Sequence, residues 1–101
     1  MKTTLDLQNE LKKLLGSDNV YFQPPASVLM NYPAIVYNLN RRQKVHANND
    51  TYLKYNQYTV TVIDRNPESS IAASVEDLKM CSFDRSFTAD NLNHFVYTLY
   101  F

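Results

Sequence analysis

Glycine occurs once in the 101 residues, cysteine once, and tryptophan not at all. One glycine leaves no Gly-rich turn to cradle phosphates, and no P-loop, Rossmann, G-x-S-x-G or H-E-x-x-H pattern is present. The lone thiol, Cys81, has no internal partner for a disulfide, which favours a reducing compartment. Charge of one sign is missing too, since ten Lys/Arg balance ten Asp/Glu. Divided at residue 50, the halves carry only +2 and −2, which suggests no dedicated nucleic-acid or membrane surface. No apolar run approaches the roughly 20 residues that span a bilayer. Acidic residues interrupt "MKTTLDLQNELKK" where a signal peptide needs an unbroken apolar stretch.

What remains is ordinary for a globular chain. Hydrophobic residues make up 45% and charged residues 20%, and the length suits a single domain over 1–101. Eight tyrosines are the exception. A tyrosine couples ring area to a hydroxyl that needs a partner, which favours half-exposed faces and interfaces.

Leu7, Leu11, Leu14 and Leu15 repeat with helical spacing, and Gly16 falls where a left-handed C′ residue is wanted. Thr3 or Thr4 can cap this first helix, Asp6 suits its first turn, and Lys12 and Lys13 suit its last. "NVYFQPP" gives a short strand stopped by Pro24 and Pro25. After Pro33, Ile35, Tyr37 and Leu39 alternate with Val36, Asn38 and Asn40 as a second strand. "QKVHANNDTYL" shows no period and reads as a loop or the flexible tip of a long hairpin. Alternation resumes in "KYNQYTVTVIDR", with Tyr58, Val60 and Val62 on one face.

At "DRNPESSIAASVEDLKM" the period changes from 2 to 3.6. Asn66 is expected as N-cap, Pro67 as the first helical residue and Glu68 in the first turn, with Ile71, Val75 and Leu78 on the buried face. "CSFDRSF" alternates again and places Cys81, Phe83 and Phe87 on one side. "TADN" supplies turn chemistry. The chain ends "LNHFVYTLYF", with Phe95, Tyr97, Leu99 and Phe101 on one face and Val96, Thr98 and Tyr100 on the other. Apolar residues on both faces mark a packed strand rather than a frayed end.

The expected fold is α+β: two layers, a mostly antiparallel sheet of about five strands, two helices on one face, order α-β-β-β-α-β-β. The passage from Val62 through the second helix to Phe83 leaves open whether one pairing is parallel. Thr59, Thr61, Tyr37 and Tyr100 are expected on the side that the helices leave uncovered.

Chemistry is sparse. His46 and His94 stand apart from Cys81 in sequence, so a Cys–His pair would have to be made by the fold, and a small buried thiol is the simpler reading. Asp64 and Asn66 superficially open a calcium loop, but the glycine and closing Glu are absent. "NDT" at 49–51 matches a glycosylation sequon without a secretory context. No catalytic, cofactor-binding or metal-binding residue is expected. Arg41, Arg42 and Lys44 form the basic cluster, with Tyr52 and Tyr55 close by. Stacking rings beside basic residues can bind single-stranded nucleic acid, but Tyr and Arg are also the types enriched in protein interfaces. The candidate interface set is Arg41, Arg42, Lys44, His46, Asn48, Asn49, Asp50, Tyr52, Lys54 and Tyr55.

"YPAIVY" on an early strand, "YNQYTVTVIDRNPES" running into a helix, and "CSFDRSFTADNLNHFVYTLYF" as a terminal hairpin together resemble the tail terminator proteins of long-tailed bacteriophages and prophages. These are also called tail completion or head–tail joining proteins. The resemblance covers residues 32 to 101, and the first helix fits in type and place. It implies a structural subunit rather than an enzyme. Such a subunit would form a ring, commonly a hexamer, on the head-proximal end of the tail tube, stop its polymerisation and receive the head connector. The implied partners are other copies, the tail tube protein and the connector, with no cofactor, no membrane and no specific nucleic-acid binding. The implied location is the virion tail, after synthesis in the bacterial cytoplasm. Another virion component, such as a head completion or tube-associated protein, is the alternative; a small enzyme or regulatory domain using Cys81 or His94 is a third.

Overall fold

Leu7 and Leu11, one helical turn apart, anchor the N-terminal helix α1 (Thr4–Leu15), and both are fully buried. The computed structural model describes residues 4–25, 29–47, 50–78 and 80–101, with the backbone alone over 41–47 and 50–55. Asp6 lies in the first turn of α1, and Lys12 and Lys13 lie in the last, complementing the helix dipole. Gly16 ends the helix at φ +79°, donating its N–H to the Lys12 carbonyl at 2.8 Å. Nothing lies within 4 Å of the place a Cβ would occupy, so the positive φ, not space, selects glycine here. Thr4 is the first helical residue, and its hydroxyl meets the Tyr58 hydroxyl at 2.9 Å. Thr3, the other expected cap, lies outside the described residues.

The strands are β1 (Val20–Phe22), β2 (Ala34–Ala47), β3 (Asp50–Asp64), β4 (Cys81–Ala89) and β5 (Leu92–Tyr100), with helix α2 (Ser70–Glu76) between β3 and β4. They form one five-stranded mixed sheet in the order β1-β2-β3-β5-β4. β1 pairs with β2 in parallel, and the other three pairings are antiparallel. The parallel pairing left open around α2 does not form: β5 inserts between β3 and β4, so α2 carries the chain past one strand position.

α2 begins later than its sequence suggested. Asp64 and Asn66 each accept the N–H two residues on, at 3.1 and 2.9 Å. Asn66 and Pro67 therefore sit in a side-chain-stabilised turn. Ser69 is the N-cap, accepting the Ala72 N–H at 3.1 Å. Asn66 and Ser69 are both good caps, and the turn leaves the later one to start the helix.

Both helices pack on one face of the sheet. Leu7, Leu11, Ala72 and Val75 meet Val20, Ile35, Tyr37, Tyr58, Val60, Val62, Tyr97 and Leu99 in a single cluster. Tyr37 thus lies in the core, correcting its expected place on the uncovered side, and the same alternation that buries Ile35 puts it there. Its hydroxyl donates to Gln8 Oε1 at 2.9 Å, and that of Tyr97 donates to the Ala72 carbonyl at 3.1 Å. Each buried hydroxyl is satisfied by a helix, so part of the tyrosine content fastens α1 and α2 to the sheet. The other face carries Thr59, Thr61, Thr98 and Tyr100, all half-buried and without a helix over them.

The C-terminal residues are paired and packed, as expected from their two apolar faces. Phe101 exchanges backbone hydrogen bonds with Asn56 at 3.0 and 3.1 Å, and its ring packs against the core cluster. The β4–β5 turn is Asp90-Asn91, with φ of 53° and 61°. Two successive positive φ values make a tight turn whose twist suits the hairpin.

Candidate functional site

The residues with chemical potential do not converge. Cys81 pairs with Leu99, while His94 pairs with Phe87, which separates them by roughly 17 Å along β5 at ~3.4 Å per residue. They also lie on opposite faces of the sheet. Burial, with the Glu76 carboxylate adding to it, pushes the Cys81 thiol up to about 11, so it stays protonated at neutral pH. His94 stacks on Phe87, with ring centroids 4.6 Å apart and planes 12° from parallel, and its Nδ1 lies 3.2 Å from the Leu92 carbonyl oxygen. The expected grouping of Cys81, Phe83 and Phe87 on one side is corrected by a register shift between Phe83 and Arg85. Asp84 is the extra residue of this bulge, so Phe83 stays on the helix side against Tyr97 while Phe87 turns to the other face. Among the described residues no group of three His, Cys, Asp or Glu could hold a metal ion.

The sequence-predicted interface segment takes one of the two forms expected there, a hairpin and not a loop. β2 continues to Ala47 and β3 starts at Asp50, with the ladder running from Arg41↔Gln57 to Ala47↔Asp50. Arg41, Arg42, Lys44 and His46 belong to β2, and Asp50, Tyr52, Lys54 and Tyr55 to β3; for these eight the backbone alone is described. Asn48 and Asn49 lie outside the described residues. The segment is the long hairpin, the second of the two readings of its sequence. β1 pairs only with 35–37, and on the other side β5 with Phe101 reaches no further out along β3 than Asn56. Beyond these, among the described residues, the ribbon has no third strand on either edge. With no layer to pack against, a ribbon has no single face to bury, so its sequence needs no apolar alternation. Two register shifts interrupt it, at Asn40 and at Tyr52, and such bulges bend and twist a ribbon. The molecule measures 51 Å along its long axis and 24 × 22 Å across.

A second surface lies along the β4 edge of the sheet and was not legible from motifs. β4 is nine residues long, and every residue from Ser82 to Thr88 is exposed. Among the described residues no strand pairs with its outer side. Beside it, a shallow open groove of about 450 Å³ runs between α2 and the β4–β5 hairpin, lined by Ala72, Ala73, Glu76, Phe83, Phe95 and Tyr97. Phe83 is 50% exposed and meets the Tyr97 ring edge-on at 5.6 Å. The available signal was phenylalanine in a strand broken by "DR", but the groove depends on the skipped strand position and on the bulge.

Charge separates these two surfaces. Arg41, Arg42, Lys44 and Lys54 against Asp50 give residues 41–55 a net +3. Asp64, Glu68, Glu76, Asp77, Asp84 and Asp90 against Arg65, Lys79 and Arg85 give residues 64–90 a net −3. The neutral total therefore conceals a basic arm and an acidic α2–β4 segment. Compared with family models, with curated proteins and with solved structures, the chain matches none.

Proposed function

We propose that this chain is a structural subunit of a long-tailed phage particle, forming a ring that caps the tail tube, stops its polymerisation and offers the surface on which the head connector docks. The observation that carries this reading is the pair of open borders on a thin sheet: a two-stranded arm running past the other strands and a nine-residue edge strand with no partner on its outer side among the described residues. Open strand edges are liabilities in a protein that works alone and are docking surfaces in one that assembles. The neutral total charge is compatible with a lumen that lets DNA pass, since a strongly basic lining would hold phosphates through counterion release. The tube protein and the connector are the partners of this reading, and it needs neither catalysis nor a cofactor.

Labelled protein added to isolated tails tests the assignment by electron microscopy. The proposal expects label only at the head-proximal end. Label along the tube would favour the alternative of a tube-associated protein, and label on tail-free heads would favour head completion.

A further inference from the structure

The arm is basic and the groove beside β4 is acidic, and this decides how copies can meet. Glu68 and Glu76 line the groove, while Asp84 and Arg85 on β4 itself balance. Two α2–β4 surfaces facing each other would bring two acidic grooves together, and two arms facing each other would oppose two segments of net +3. An arm against the groove beside β4 brings opposite signs together. We propose that the β2–β3 arm of one copy docks along the β4 edge and the α2 groove of the next, so that copies of this chain associate head to tail. This rests on the ring reading for its biological setting and on charge and edge geometry for its substance.

Edge geometry supports the same partner. The regular stretch of β4 beyond its bulge, Arg85–Ala89, offers five residues for backbone pairing. The arm runs seven residues on its β2 side from Arg41 to Ala47, which covers that stretch with length to spare. The other border of the sheet, β1, has three residues. There the Gln23 backbone N–H donates to the Tyr37 carbonyl and the Gln23 side chain accepts the Leu39 N–H, at 3.0 and 3.1 Å. Those bonds close the β2 edge beside β1, and β1 itself is too short to match the arm. Phe83, half-exposed beside the groove, is the apolar anchor such a contact needs. The Asp84 bulge and the acidic surroundings discourage indiscriminate strand addition, while admitting a basic strand. A heterologous contact of this kind closes into a ring when its rotation permits and otherwise forms an open filament.

Mixed cross-linking of two single-cysteine variants tests the contact directly. One carries Cys81→Ala with His46→Cys on the β2 side of the arm, the other Cys81→Ala with Ser86→Cys on β4. Both are concentrated together at low salt under mild oxidation. The proposal expects the arm-to-β4 disulfide to form several-fold faster than either homodimer. Its rate should fall about tenfold toward ~1 M salt, where the screening length is only about 3 Å. A Glu68→Lys/Glu76→Lys change in the β4 partner should suppress the mixed product, and Arg42→Glu/Lys44→Glu in the arm partner should restore it. Predominant cross-links between two copies of position 86, or between two copies of position 46, would overturn the head-to-tail contact, as would no cross-link at all. Rings seen by microscopy without the mixed disulfide would sink this contact and spare the ring reading. Open filaments with the mixed disulfide would do the reverse.

Discussion

Deleting Tyr100 and Phe101 should destabilise the protein by ~3–4 kcal/mol. Three backbone hydrogen bonds disappear, from Tyr100 to the Met80 carbonyl and the reciprocal pair between Phe101 and Asn56. At about 1 kcal/mol each, these contribute ~3 kcal/mol. The Gln57 amide also loses the Tyr100 hydroxyl that it meets at 2.8 Å. Both rings are half-buried, so each removes roughly 100 Å² of burial, or ~2.5 kcal/mol at 25 cal/mol per Å². Releasing two ordered residues returns about 2 kcal/mol apiece in backbone and side-chain entropy. The net loss is a large share of the 5–15 kcal/mol that holds a domain of this size. At roughly 4–8 °C per kcal/mol, the melting temperature should fall by ~15–25 °C. Thermal unfolding followed by circular dichroism measures this, with Tyr100→Ala and Phe101→Ala separating the two rings. A truncated chain that melts within a few degrees of the parent would refute the packing argument.

Four further outcomes are expected. Burial, reinforced by the neighbouring Tyr58, pushes the Tyr37 hydroxyl up to about 12, and burial with Glu76 and Cys81 raises Tyr97 as well. The native state keeps these protons where the unfolded chain has released them. The Tyr37 contribution to stability is therefore complete below pH ~10 and lost as pH rises from about 10 to 12, by at most ~1.4 kcal/mol per pH unit, and the Tyr97 contribution falls in the same direction; Tyr37→Phe should flatten the decline seen in alkaline melts. Alkylation of Cys81 should be slow at pH 7.5 and accelerate toward pH 11, and fast labelling at neutral pH would contradict the protonated, half-buried thiol. Met80 holds φ 62° while 56% exposed, so Met80→Gly should stabilise by about 1 kcal/mol in urea unfolding through relief of the left-handed backbone. Removing residues 46–51 takes away only the outermost ladder pairs, so the product should melt like the parent while losing self-association by light scattering; normal assembly would exclude the arm.

Much of the architecture was legible because single residues announced it. The leucine stripe and Gly16 fixed α1, the doubled apolar alternation of residues 95–101 fixed β5 as a packed strand, and Asp90-Asn91 fixed the turn before it. Two of the errors, at Tyr37 and Phe87, depend on neighbours distant in sequence, while the one at Asn66 is a local competition between two caps. Tyr37 looked amphipathic and surface-like, but Gln8, 29 positions earlier, supplies its partner inside the core. Phe87 looked aligned with Phe83 until a bulge, set by pairing with β5, turned it over. Asn66 looked like a helix cap until Asp64 and Glu68 drew it into a turn. The arm's residues were singled out as an interface, yet its strand structure was hidden because a ribbon without a covering layer shows no period. The β4 groove had no sequence signal strong enough to find it, since it exists only where α2 crosses beyond β5.

The central claim is that the arm and the open β4 edge of this thin sheet serve other copies of the chain. Light scattering of the purified protein over a range of concentrations, alone and with tail tube protein, tests it most directly. The account predicts a discrete multimer whose mass is a whole number of chains, formed alone at high concentration or on addition of the tube protein. A mass fixed at one chain under every condition would contradict it.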